Sequence, residues 1–297
     1  DAGEVYVYSK IKTDKWEFVQ KVNPTPSVHR YFGASMSVSN RFLAVAASTT
    51  IFVFNLNETS STWTVMYRQT FSSFRGPVQV LVTNSMLFIS DPKGQTVQYF
   101  KYDEANMTFV IVGIVSRPYY SVANFGVGMA YFGGNFIIST PNVTVNTSYI
   151  MSEIQIGYVN DTTNEWTVID RWIREPGIGS ILSTSVNAQR LFMASNYSVI
   201  LVNDISNPSS GATFDIERVT SMDSDSNGFA FFGVPGAVRL FQFNSASNSW
   251  TEVDGNAFQT PASTPDNNLS LGLGIGLPLG ILAGKTPKKN QNYIIIN

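Results

Sequence analysis

Hydrophobic positions in residues 1–255 come in short alternating runs, and no stretch keeps a helical spacing over a helical length. The runs recur in a fixed order. A polar turn followed by an aromatic opens one kind of strand: DKWEFV (Trp16), STWTVM (Trp63), NMTFVI (Phe109), NEWTVI (Trp166), GATFDI (Phe214) and NSWTEV (Trp250). These six aromatics are separated by 47, 46, 57, 48 and 36 residues. Before each lies an alternating apolar run: VYVYSK (5–10), IFVFNL (51–56), VQYFKY (97–102), IQIGYV (154–159), VILVND (199–204) and VRLFQF (238–243). Two further runs precede that one in most units, such as SMSVS (35–39) with FLAVAAS (42–48), and VQVLV (78–82) with MLFISDP (86–92). Runs of four to seven residues rich in Val, Ile, Phe and Tyr and bounded by Gly, Asn, Ser and Pro predict strands.

Each unit therefore predicts four short strands. Four strands repeated at this period are the pattern of a β-propeller. A single blade cannot cover both its faces, so neighbouring blades bury them and the recurring aromatic fills the space between sheets. The expected fold is all-β, a propeller over 1–255, with five full units and two opening strands.

RYFGASMSVSNRFLAVAAS (30–48), followed by IFVFNLN and STWTV, resembles the FG-GAP repeat of integrin-α-type propellers. NFGVGMAYFGGNFIISTP (124–141) is similar to a second copy, and ISDP (89–92) and FGVPGAVRLFQF (232–243) to parts of others. Phe-Gly itself is missing from the units around 76–82 and 177–186. The resemblance implies a surface protein and commonly seven blades. DAGEVYVYSK matches the second half of a blade, and no strands are expected after 255 to complete it. On that reading about one and a half blades are missing from the sequence.

The chain of 297 residues has a formal charge of −2, with 13% charged and 13% aromatic residues. No basic excess marks a nucleic-acid binder. The absence of cysteine excludes disulfides and thiolate metal sites, and a single histidine excludes a histidine cluster. Charge is uneven along the chain: the last 29 residues hold Lys285, Lys288 and Lys289 and no acid. Residues 256–268 have the composition of a polar linker. Residues 269–284, LSLGLGIGLPLGILAG, are uncharged and form a candidate transmembrane segment, followed by a short basic tail over 285–297. The segment is short for a span and carries Pro278 in its middle. Lysines after an apolar run favour the cytoplasmic side, giving a single-pass protein with its N-terminus outside. Gly272, Gly276, Gly280 and Gly284 would share one helix face and permit a homo-oligomer.

Asn57, Asn106, Asn142, Asn146, Asn160, Asn196 and Asn268 each begin a glycosylation sequon. Asn57, Asn106 and Asn160 fall in the turn before the aromatic strand, where a glycan would face solvent. Asp223, Asp225 and Asn227, followed by Gly228, have the spacing of an oxygen-ligand calcium loop. The ninth position is Phe231, so an acid is lacking there, and the same residues also suit a plain hairpin. No other cofactor is implied. His29 lies in a polar link between units, so a histidine-based triad has little to build on. Asp91, Asp170 and Glu175 lie near strand ends or connections, but nothing selects a carboxylate pair for glycoside hydrolysis.

Three functions follow. The first is a non-enzymatic cell-surface glycoprotein ectodomain that binds protein or glycan through a propeller face. The second is a structural coat or appendage that self-assembles. The third is a carbohydrate-active enzyme. The first fits the sequence best.

Overall fold

The computed structural model describes residues 3–12, 15–22, 31–74, 78–116, 124–146, 149–174, 177–179, 181–184, 190–195, 198–203, 213–219, 221–224, 229–234, 237–244, 247, 249–253, 281–285 and 292–296. Strands β1 (Val5–Lys12) and β2 (Lys15–Val22) open the chain. The second blade is β3 (Phe32–Val38), β4 (Phe42–Ala47), β5 (Thr50–Asn57) and β6 (Thr62–Thr70). The third is β7 (Gln79–Val82), β8 (Met86–Asp91), β9 (Thr96–Asp103) and β10 (Thr108–Ser116). The fourth is β11 (Gly128–Phe132), β12 (Asn135–Asn146), β13 (Tyr149–Val159) and β14 (Trp166–Arg174). The fifth is β15 (Ile181–Thr184), β16 (Leu191–Ala194), β17 (Val199–Val202) and β18 (Thr213–Phe214). The sixth is β19 (Ser221–Ser224), β20 (Phe229–Val234), β21 (Ala237–Asn244) and β22 (Ser249–Val253). Strands β23 (Ile281–Lys285) and β24 (Asn292–Ile296) follow.

The last two strands change the expected organisation. Strand β24 pairs antiparallel with β1, Tyr6 opposite Ile296, and β23 pairs with β24. The first blade is therefore the sheet β2-β1-β24-β23, and the described strands make six four-stranded sheets. The innermost strands β3, β7, β11, β15, β19 and β23 neighbour one another in sequence and back to the start, so the ring closes. Residues after 255 do supply the missing half-blade, contrary to the expectation from the sequence. The described strands close a ring of six blades, where the family resemblance implied seven. Residues 281–284, taken as the end of a membrane segment, lie in β23 instead, and the basic tail contains β24. Gly284 sits opposite Tyr293 in this sheet, so it does not stand on a helix face. Gly272, Gly276 and Gly280 lie outside the described residues. No helix among the described residues is long and apolar enough to cross a membrane.

Central strands are buried on both faces because each blade is sandwiched between two others. All six residues of β4 and all six of β8 are buried. Phe88 shows the packing: fully buried, its ring centroid lies 4.1 Å from that of Phe136 in the next blade. Burial of one such side chain contributes about 1.5–3 kcal/mol. The inner edges are also closed. Ser35 and Ser37 of β3 accept hydrogen bonds from the Val80 and Val82 backbone N–H groups of β7 at 3.1 and 2.9 Å.

Two devices repeat. The first is the turn before the outer strand. Asn57, Asp103 and Asn160 each accept two backbone N–H bonds through the side-chain oxygen Oδ1. Four residues later, Ser61, Met107 and Asn164 take positive φ of 56°, 51° and 56°. Two residues beyond stand the repeat aromatics Trp63, Phe109 and Trp166. Three residues after each aromatic, the outer strand carries one extra residue in a bulge: Met66, Val112 and Ile169, matched by Val19 after Trp16 in the first blade.

The second device clasps neighbouring blades. Tyr31-Phe32-Gly33, Asn124-Phe125-Gly126 and Gly177-Ile178-Gly179 each place a buried apolar side chain between two residues of positive φ. Gly126 donates its N–H to the Ser139 carbonyl of its own blade at 2.9 Å, and its carbonyl accepts the Ser90 hydroxyl of the preceding blade at 2.6 Å. Gly179 repeats this, donating to the Ala194 carbonyl at 2.9 Å and accepting from the Ser139 hydroxyl. Ile178-Gly179 thus occupies the place where Phe-Gly was missing from the sequence.

Candidate functional site

The fourth blade departs from the repeat, and its departure locates the candidate site. The step from Phe109 to Trp166 is 57 residues against 46 and 47 for the two before it. The added length goes into the β12–β13 hairpin. Strand β12 has 12 residues where the equivalent β4 and β8 have six. The register runs on past the usual strand end, through Val143 opposite Met151 to Asn146 opposite Tyr149. A skip between Thr140 and Val143 marks where the extension leaves the blade. Additions of this kind fall on one face of a repeat array, often the binding face.

Buried polar side chains gather at the base of this extension. Ten polar or charged residues are buried among those described, and five of them are Ser139, Thr140, Ser152, Glu153 and Gln155 of β12 and β13. Glu153 is 8% exposed. Its Oε1 accepts the Gln155 Nε2 hydrogen bond at 3.1 Å, and Arg171 Nε of β14 stands 3.9 Å away. Thr140 is the cross-strand neighbour of Glu153, and Arg171 that of Gln155, so all four side chains share the face turned toward the third blade. The opposite face of β13 places Ile154 and Ile156 in the core against the fifth blade. The hydroxyls of Thr140 and Ser152 are buried without a hydrogen-bond partner. Ser152 stands on the Ile154 face, so the unpaired hydroxyl beside Glu153 is that of Thr140. An unpaired buried hydroxyl costs free energy, so its retention there marks a place with another use. Arg171 is the exposed member of the group, its side chain 58% accessible.

Tyr99 of the third blade lines the same inter-blade boundary. It donates to the Asn164 carbonyl at 3.0 Å, and burial pushes its phenol above the ordinary value. Gly113 and Gly157 make room along this seam, for the Tyr99 and Trp166 rings respectively, each of which would collide with a Cβ there.

The residues singled out in the sequence are dispersed. Asp223 lies in β19 opposite Phe231, while Asp225 and Asn227 are outside the described residues. No three His, Asp or Glu side chains come together as a metal site among the described residues. His29 and Glu175 are also outside them. Asp91 is buried against Gly94 in the turn after β8. Asp170 accepts the Trp172 indole N–H at 2.9 Å and the Arg171 N–H at 2.7 Å, a local fold role. Asn57 and Asn106 are exposed at the hairpin turns, and Asn160 is half-buried at its own. Asn142 and Asn146 lie in the β12 extension, while Asn196 and Asn268 fall outside the described residues. Trp63, Phe109 and Phe214 are buried; Trp166 and Trp250 are partly buried with their indole nitrogens unpaired. Glu153 and Thr140 were not selected from the sequence, although the long 57-residue step pointed to their blade.

No protein-family model matches the chain, and no curated protein matches it in sequence. Solved structures do match in shape. A protein from Lactobacillus plantarum superposes with a TM-score of 0.55 at 10% identity, over 85% of this chain and 82% of that one. A chain of a nidogen/laminin complex superposes with a TM-score of 0.51 at 9% identity, over 85% and 92%. The fold is a β-propeller. At these identities the likeness extends to the fold alone.

Proposed function

We propose that this propeller is a non-enzymatic binding module of the cell surface or extracellular space, and that it engages a protein or glycan ligand through the β12–β13 extension. The observation that carries the reading is the extension itself: the fourth blade lengthens the repeat, and the added hairpin coincides with the cluster of Thr140, Glu153 and Gln155 beside exposed Arg171. A rigid ring presenting one irregular hairpin is how binding residues are held on a scaffold. The sequons at Asn57 and Asn160 support the extracellular setting. Each asparagine uses only its Oδ1 in the turn, which leaves Nδ2 for a glycan. The clasps at Gly126 and Gly179, and the like conformation of Tyr31-Phe32-Gly33, support the likeness to FG-GAP repeats. The reading does not rest on a membrane span at 269–284, whose last four residues belong to β23.

The test is binding of the full chain to a glycan array and to a panel of cell-surface ectodomains. Two variants accompany it: Arg171→Ala, and replacement of residues 142–150 by Asn-Gly. The reading expects saturable binding, no turnover of the ligand, and loss of binding in both variants at unchanged melting temperature. Turnover of a bound glycan, or binding that ignores both changes, overturns it.

A further inference from the structure

We propose that β10 is a self-association edge, on which two copies of this chain pair their third blades antiparallel about a twofold axis. This goes beyond ligand binding at the fourth blade and does not depend on it.

Strand β10 is the outermost strand of its sheet, so one row of its backbone groups has no partner strand among the described residues. Its sequence, TFVIVGIVS, is nine residues without a charge. The other outer strands of five residues or more each carry charge: Lys15, Glu17 and Lys21 in β2, Arg68 in β6, Asp170, Arg171 and Arg174 in β14, and Glu252 in β22. Charge is the usual guard of a free edge, and β10 lacks it. It also exposes large apolar side chains: Val110 is 45% exposed, Ile111 49% and Ile114 56%.

The occupant follows from the register. Ile111 pairs with Phe100 of β9 and Ile114 with Gln98, two positions of like parity. The bulge at Val112 therefore brings Ile111 and Ile114 onto one face of the sheet, where an unbroken strand would put them on opposite faces. A twofold axis between Val112 and Gly113 sets Ile111 of one copy opposite Ile114 of the other, and repeats that contact across the axis. The same operation sets Val110 opposite Val115. Each exposed apolar side chain, Val110, Ile111 and Ile114, meets an apolar residue on its own face, and no like charges meet. A second copy of this chain satisfies all these conditions at once, and such isologous pairing closes at two.

Sedimentation of the full chain at concentrations up to about 100 µM tests this. The expected result is a species of twice the 32.7 kDa chain mass. Ile111→Lys alone and Ile114→Glu alone each weaken association about tenfold or more, a shift that sedimentation reads directly. The double variant Ile111→Lys/Ile114→Glu restores it, because the register puts each lysine opposite the partner's glutamate. Val65→Lys, on the exposed position of β6, leaves the dimer intact and controls for added charge. A wild-type chain that stays monomeric overturns the proposal. So does a dimer unaffected by the single changes, or a double variant no better than either single one.

Discussion

Ser90 and Gly126 meet across the boundary of the third and fourth blades, the serine hydroxyl donating to the glycine carbonyl at 2.6 Å. Gly126 holds φ at +80°, and a Cβ there would lie 2.7 Å from that of Ser90. Ser90→Ala removes the donor and is expected to cost about 1–3 kcal/mol. Gly126→Ala adds backbone strain of about 1–2 kcal/mol to the collision and is expected to cost more. Denaturant unfolding of both variants checks the order, and a Gly126→Ala protein as stable as the parent would refute the clasp.

Met107 is 61% exposed and takes a φ of 51°, so its side chain gains little from a conformation that suits glycine. Met107→Gly is expected to raise stability by about 0.5–1 kcal/mol, the relief of strain exceeding the entropy glycine adds to the unfolded chain. Thermal unfolding measures it. A fall in melting temperature would mean that Met107 makes a contact of value.

Thr140 carries a buried hydroxyl with no partner. Thr140→Val keeps the shape and removes the unpaired group, so stability should rise by about 1 kcal/mol. Ligand binding at the fourth blade should weaken in the same variant. A gain in stability with binding untouched would assign the hydroxyl no part in recognition.

Glu4 joins β1 and β2 by accepting hydrogen bonds from Lys21 and Tyr6. The Lys21 ammonium, then the Tyr6 hydroxyl, hold its carboxyl below the ordinary value of 4.5. Its contribution is present above that value and is lost as pH falls through the lower folded value. Tyr6 moves the other way: burial first, then Glu4, pushes its phenol up to about 12. That contribution is present below pH 10 and is lost as pH rises toward about 12. Amide protection factors of β1 and β2, referred to the intrinsic exchange rate at each pH, should be greatest between these limits, and Glu4→Gln should flatten the acid limb. An acid limb unchanged in Glu4→Gln would place the pH sensitivity elsewhere.

The repeat was legible because the aromatic after each polar turn is needed once per blade, and its spacing survives local variation. The clasp at Ile178-Gly179 was hidden because the pocket asks only for a buried apolar side chain, so isoleucine serves where phenylalanine was sought. NYIIIN was overlooked as a strand because it follows an apolar run and three lysines, whose composition suggested a membrane stop. The bulges leave no mark beyond their fixed distance from the aromatic. Glu153 was missed for a physical reason. In SEIQIGYV the alternation assigns Glu153 and Gln155 to solvent, as in a sheet with one wet face. A propeller blade has no wet face at its middle strands, so both alternating sets are covered and the polar one becomes the candidate site.

The sheet shared by β1 and β24 joins positions made far apart in time. Tyr6 waits for Ile296, 290 positions later (296 − 6). At about 5–20 residues per second, that wait lasts roughly 15–60 s of translation. For that period β1 holds an unfilled edge, and five later blades can stack while the sixth interface stays open. The seam thus sets the moment at which the ring becomes a single cooperative object, and a nascent chain released before Asn292 would carry five blades and a half-sheet with an edge free to capture a neighbour's strand.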